Sequence, residues 1–239
     1  MSAGTENGGV QSDENASPLG RPSRSPAPSA SPSSRAQILE AAAALFAEHG
    51  FSATSTRMIA ERVGIRQASL YYHFAGKDDL LDELLRTSVR PSLDAVQGLE
   101  EQVAAGKVPA ATALRSLALT DVDTLMRAPH NIGTLYLLPE TQGERFAGFR
   151  AERAALAAAY RRLGHAAATD QVRRTVPAHR LGRILIQLVE TVIELRRGGE
   201  AEARDRDALA DSCLRVCGLD DDAIVAARRG AGAMTAGIR

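Results

Sequence analysis

At 239 residues the chain exceeds the roughly 100–200 residues of one ordinary domain and is too short for two large ones, so a small module joined to a larger one is expected. Its 44% hydrophobic and 24% charged residues supply a real core, and 29 basic residues balance 29 acidic ones, which excludes a global field aimed at nucleic acid, membrane or acidic substrate. Any electrostatic footprint has to be local. Cys213 and Cys217, within one helical pattern, make neither a disulfide framework nor a metal spacing paired with a second cluster, so a reducing cytoplasm is the expected compartment. No apolar run reaches the roughly 18 residues that span a bilayer and no secretory segment opens the chain, so neither export nor a membrane partner is expected.

Residues 1–33, dominated by Ser, Pro, Gly and Ala, cannot bury enough surface to offset their ordering entropy and read as a disordered arm. The sharper alternative is a basic arm for a DNA groove, carried by Arg21, Arg24 and Arg35 and diluted by Glu6, Asp13 and Glu14. From Ser34 onward helix follows helix. The stretch from 34 to Gly50 opens on serine and sets Ile38, Ala42, Leu45 and Phe46 on one stripe. The next helix has Ser55 or Thr54 as cap, Ile59 and Val63 as stripe and Gly64 as stop; a third spans "RQASLYYHF". A fourth starts at Lys77 and bends or ends near Pro91.

Prolines mark further helix starts at Pro109 (to about Met126), near Pro129 (to about Leu138), after Pro139 (about Thr141 to Leu163) and at Pro177 (to about Arg197). A last pair covers about Arg204 to Cys217 and Asp220 to Arg229. No stretch alternates with period two and no Asn-Gly or Asp-Gly turn occurs, so the class is all-α.

Scarce residues gather in "IRQASLYYHFAGKDDLL", residues 65–81: two of four tyrosines, a phenylalanine, a histidine and Lys77. On a helical wheel Leu70, Tyr71 and Phe74 share a packing side, while Ala68, Ser69, Tyr72 and His73 look outward. The helix ending at Val63, the turn at Gly64 and this helix have helix-turn-helix proportions, in which the second helix enters the major groove. Gln67 can pair with adenine, Ser69 can donate or accept, and Arg57 can address guanine, while Thr56, Tyr72 and Lys77 suit phosphates. Lys77 opens its helix against the macrodipole, which favours Asp78 and Asp79 there, so it needs another partner, for which a DNA phosphate qualifies.

The run "TSTRMIAERVGIRQASLYYHFAGKDDLL", with its densest part "LYYHFAGKDDLL", resembles the DNA-binding domain of the tetracycline-repressor (TetR) family of bacterial regulators, over about residues 34–85. The resemblance implies an all-helical homodimer with an N-terminal three-helix DNA-binding domain and a larger domain that binds a small-molecule effector and releases a near-palindromic double-stranded operator. It places Thr56, Arg66, Tyr71, Tyr72 and Lys77 at phosphates and Arg57, Gln67, Ser69 and His73 near base edges. Arg66 stands where a small polar cap is common, and Gly76 where a serine often precedes the lysine. The expected division is an arm (1–33), a helix-turn-helix domain (34–81), an effector-binding and dimerisation domain (82–229) and a flexible tail (230–239).

In the larger domain the apolar band of "PAHRLGRILIQLVETVIELRRGG" resembles part of the family's four-helix dimer interface, with Leu181, Leu185, Leu188 and Val192 as the expected contacts; burial within one subunit is the alternative. Tyr136, Phe146, Phe149 and Tyr160 are the aromatics outside the first module, and with Arg150 and Arg153 they either line a pocket for an aromatic or anionic molecule or form plain core. Met126 and His130 complete the eight candidate lining residues, and His130 and His165 could supply hydrogen bonds. The five histidines show no metal-binding pairing, and no Walker loop, dinucleotide fingerprint or nucleophile motif occurs, so no enzyme, cofactor or metal is expected. A DNA-binding protein without effector, and a thiol-responsive regulator using Cys213 and Cys217, are the remaining alternatives.

Overall fold

A computed structural model describes residues 34–127 and 130–236; the expected arm, Pro129 and residues 237–239 lie outside them. The order is α1 (Ser34–His49), α2 (Thr56–Val63), α3 (Gln67–His73), α4 (Lys77–Thr87), α5 (Arg90–Ala104), α6 (Ala110–Arg127), three 3₁₀ turns, α7 (Ala147–Ala167), α8 (Asp170–Thr175), α9 (Ala178–Gly198), α10 (Asp205–Val216) and α11 (Asp221–Ala236). No strand occurs among the described residues. The fold is all-α.

The small head forms because α1 presents Ile38, Ala42, Leu45 and Phe46, all buried, to Ile59 of α2, Leu70 of α3 and the leucines of α4. Helix α4 leaves the head through Leu80, Leu81, Leu84 and Leu85, also buried. The chain breaks at Ser88 and Val89, and Pro91 then sits in the first turn of α5, where a missing N–H costs nothing.

Helix α6 runs through the middle of the larger bundle, packed against α5, α7, α9, α10 and α11. It buries Leu114, Leu117 and Val122 together with two charged side chains. Arg115 donates to Asp207 (2.5 Å) and Asp211 (2.8 Å), and Asp211 also accepts from Arg228 (2.9 Å), tying α6, α10 and α11 together. Burial alone would raise the Asp211 carboxyl, but its two guanidinium partners hold it below the usual carboxylate range.

Two expectations need correction, and one helix, α8, was not expected. The helix read from near Pro129 to Leu138 is a 3₁₀ turn (Ile132–Leu137), and the one read from about Thr141 to Leu163 starts later, as α7 at Ala147, after two more 3₁₀ turns (Pro139–Gln142, Glu144–Phe146), because Pro139 and Gly143 interrupt the ladder. Helix α8 has no buried residue, hence no stripe to read, and is held by its Thr169 cap on the Val172 N–H (3.4 Å). The last helix passes Arg229 and reaches Ala236, so residues 230–236 are helical, with Ala231 buried beside Ile224 and Ala227.

Asp121 of α6 is buried and accepts from Ser92 of α5 (2.9 Å) and Tyr160 of α7 (2.9 Å). Burial pushes its carboxyl up to about 6, the two hydrogen bonds opposing. Because the folded value lies above the unfolded one, this group's contribution is full below about pH 4 and is lost as the pH rises through 6. Asp121→Asn, which keeps the shape and both partners, is expected to raise unfolding free energy by about 1–3 kcal/mol at pH 7.5 and by nothing near pH 4 in denaturant melts. An equal effect at both pH values would remove the buried charge as the cause.

Candidate functional site

The turn between α2 and α3 is fixed by local chemistry. Ser55 caps α2 by accepting from the Met58 N–H (3.2 Å), while Thr54, the other candidate, is buried and donates to the carbonyls of Gly50 (2.8 Å) and Leu45 (3.1 Å). Gly64 ends α2 at φ +78°, a left-handed conformation that costs a side-chain-bearing residue energy. Arg66 opens α3 without a side-chain cap and lies exposed.

Helix α3 is anchored by Leu70 and, at its end, by Phe74, whose ring lies 4.8 Å from the Arg35 guanidinium. Gln67, Ser69 and Tyr72 are exposed, Tyr72 at 86%, with the His73 ring edge-on to it. Tyr71 does not pack as the wheel implies: it is 49% exposed. Its hydroxyl meets Thr56 Oγ1 (3.2 Å) and accepts from Gln67 Nε2 (3.3 Å), and Gln67 also donates to Thr56 (2.9 Å). A phenol needs a polar partner, and these two hold it at the margin. Thr56, Gln67 and Tyr71 therefore form one polar cluster across the starts of α2 and α3. Arg57 is exposed and engages Glu61 (2.8 Å), the next turn of α2.

Lys77 has a protein partner where a phosphate was expected. Its Nζ donates to the Phe51 carbonyl (2.8 Å) and the Ser52 carbonyl (3.4 Å) and sits 4.3 Å from the Phe51 ring centre. The lysine fastens α4 to the loop after α1. Asp79 answers the macrodipole and accepts from the Ala75 N–H (2.8 Å), which ties the preceding turn to the first turn of α4, while Gly76 at the N-cap supplies no side-chain cap.

Between α7 and α9 lies a groove of about 630 Å³. The 3₁₀ segment closes one end with Tyr136, Leu137 and Gln142, alanines 154, 157 and 158 make its floor, and Arg161, His179 and Arg183 stand at the other end. Of the eight pocket residues read from sequence, Tyr136, Phe149, Arg150 and Arg153 line it. Phe146 and Tyr160 are core instead, and burial raises the Tyr160 phenol. Met126 is half-buried against the core, and His130 borders a separate depression beside Glu48 and Arg62. His165 is exposed and not part of the lining. The two expected cations are already engaged: Arg150 donates to the carbonyls of Thr141 (2.7 Å) and Gly143 (2.6 Å), and Arg153 forks onto Glu190 (2.6 and 2.7 Å).

The 3₁₀ segment also grips the head. Tyr136 meets Ser88 (2.8 Å); because Ser88 gives its proton to the Leu85 carbonyl (2.6 Å), the tyrosine is the donor. Ser52 donates to Glu140 (3.0 Å), and Arg145 pairs with Asp79. From α7, Glu152 pairs with Arg86 of α4.

On α9, Leu181, Leu185 and Val192 are fully buried against α7 and its neighbours, so three of the four expected dimer contacts are internal. The helices approach so closely that a Cβ on Gly182 would lie 2.6 Å from Arg161 Cα. Leu188 is half-buried and Ile184 is 46% exposed. Both cysteines are buried free thiols pushed up to about 12, chiefly by burial. No helix among the described residues is long and apolar enough to cross a membrane.

The family profile of bacterial regulatory proteins of the tetR family matches residues 38–84. Over 54 residues the chain is 56% identical to the HTH-type transcriptional repressor KstR2 of Mycobacterium tuberculosis H37Rv, covering 23% of this chain and 27% of that protein. The chain thus spans about a quarter of that relative's length. Its fold is similar to that of PfmR, a TetR family regulator from Thermus thermophilus (24% identity, 74% of this chain and 97% of that one, TM-score 0.61). The crystal structure of Mycobacterium smegmatis AmtR matches 90% of this chain and 97% of its own, at 38% identity and a TM-score of 0.74. The chain belongs to the TetR family.

As a TetR-family member it is a sequence-specific DNA-binding regulator. Arg161, His179, Arg183 and Leu137 of the groove escaped the sequence reading of this TetR-family chain. The spacing from Phe149 to Arg161 on α7 was available, but nothing local announces that α9 lies alongside.

Lys77→Ala is expected to lower the unfolding free energy by about 1–2 kcal/mol in urea melts without DNA, through lost hydrogen bonds and cation–π contact. An unchanged melt, with the salt slope of operator binding reduced by about one unit, would return the lysine to a phosphate.

Proposed function

We propose that this regulator is a homodimeric repressor held on a near-palindromic operator and released when a small molecule occupies the groove between α7 and α9. One observation carries the reading: the segment from Ile132 to Phe146 both closes the groove, through Tyr136 and Gln142, and holds the head, through Ser88, Ser52 and Asp79. A ligand that shifts this segment would move α4 and with it α3. It can do so only by its differential affinity for the two positions of the head. The relatives matched across the head carry the name transcriptional repressor, which supports repression here.

On the DNA side, Arg66, Thr56, Tyr71 and Tyr72 face phosphates, while Gln67, Ser69, His73 and Arg57 stand near base edges. Gln67 would exchange its bond to Thr56, and Arg57 its bond to Glu61, for bases. Lys77 acts indirectly, by fixing the loop after α1. The dimer forms through the outer stripe of α9, Ile184, Leu188 and Thr191, which share a shallow depression of about 470 Å³ with Arg180 and with Arg183, the latter standing between this face and the groove. A thiol-responsive switch fits poorly, since both thiols are buried and pushed up to about 12.

Selection of bound sites from random DNA should return a near-palindrome with half-sites about 34 Å apart, or a multiple of that, one turn of B-DNA. The Ile184→Glu variant should sediment as a monomer and lose most operator affinity. Recovery of a lone half-site by the native protein, or an unchanged dimer in the variant, contradicts the reading.

A further inference from the structure

Most arginines among the described residues of this charge-balanced chain have a partner. Among the described residues, those with no acid or hydrogen-bond acceptor are Arg66 on the DNA face, Arg229, Arg174 of α8, and three along α7 and α9: Arg161, Arg180 and Arg183. Arg161 and Arg183 line the groove beside His179. They leave the backbone at a close approach of α7 and α9, where Gly182 lies against Arg161. No carboxylate lines the groove, and the nearby Glu190 is occupied by Arg153 and by Gln187 (2.5 Å). Cations gathered without counter-charge repel one another, a cost that an incoming anion removes.

The other end has the opposite character. Leu137 is 90% exposed on the rim, beside Tyr136 and Phe149, and the arginines there are already satisfied. From Arg150 to Arg161 the groove follows α7 for about 17 Å at a rise of about 1.5 Å per residue.

We infer that the groove seats an amphipathic anion, a small molecule with one carboxylate, sulfonate or phosphate on an extended apolar body. Its head lies among Arg161, His179 and Arg183, and its body runs over the alanine floor toward Tyr136 and Leu137. The assignment rests on the reading of this groove as the effector site and adds the ligand's chemical class and direction.

Matched probes test it on the full-length protein. Anilinonaphthalene sulfonate should bind with enhanced fluorescence, and dodecanoate below its micelle concentration should displace it, whereas dodecanol should not. Arg161→Gln and Arg183→Gln should each weaken sulfonate binding about tenfold, as expected for loss of a charge-assisted hydrogen bond. The uncharged analogue N-phenyl-1-naphthylamine should bind all variants alike. Arg174→Gln, outside the groove, controls for net charge. Thermal melts check that the exposed substitutions leave the fold intact, and Ala158→Glu should block the sulfonate by a second route. Equal displacement by dodecanol, or sulfonate binding indifferent to Arg161, Arg183 and Ala158, overturns the inference. So does a change confined to dimer dissociation, which would assign the arginines to the partner subunit. Operator binding is measured separately: arginine-dependent sulfonate binding that leaves the operator complex intact upholds the anion site and rejects its role as effector site.

Discussion

The hydrogen bond from the Tyr136 phenol to Ser88 joins the two halves of this molecule. Ser88 occupies the break between α4 and α5, where the head passes into the larger bundle, and is itself buried with its proton committed to the Leu85 carbonyl. Tyr136 lies against Phe149 on one side and under the Arg153 guanidinium on another, at the closed end of the groove. One phenol thus reads the groove with its ring and the head with its hydroxyl. Burial pushes that hydroxyl well above the usual phenol range, so it remains a donor at any physiological pH.

Around this bond lie Ile132 and Leu135 of the 3₁₀ segment, buried in an apolar core that continues from α1 and α4 into the bundle, and three partly exposed polar pairs: Arg145 to Asp79, Ser52 to Glu140, Arg86 to Glu152. The polar pairs contribute little stability each and can be exchanged at small cost. The arrangement suits an element with two positions. The head is stiffened internally by Lys77 and the buried leucines of α4, and the bundle by α6, while the joint between them combines apolar packing of Ile132 and Leu135 with polar pairs that can exchange partners when the segment shifts.

Much of the fold was legible because caps and stops act locally. Ser55, Gly64 and the prolines at 109 and 177 marked boundaries within a few residues, and the stripe of α1 named its own core. Side-chain partners that depend on tertiary neighbours were not legible. The dipole argument correctly found Lys77 in need of an acceptor but could not know that the Phe51 carbonyl would supply it. The wheel put Tyr71 among the packing residues because it has no term for a hydroxyl bonded to Thr56. The broad band of α9 was recognised, yet which part turns inward was decided by α7, against which Leu181 and Leu185 are buried, leaving Ile184 outside. Half of the expected groove residues line it, and its charged end was missed, because an unpaired arginine looks the same in sequence as a paired one.

The most direct test of this account is hydrogen exchange, followed by mass spectrometry, on Tyr136→Phe, which removes the phenol oxygen and keeps the ring. The amides of α4 and α1 should exchange about tenfold faster than in the native protein while those of α6 and α9 keep their protection, the signature of a head loosened from an intact bundle. Unchanged exchange in α1 and α4 would contradict the claim that this bond couples the groove to the DNA-binding head.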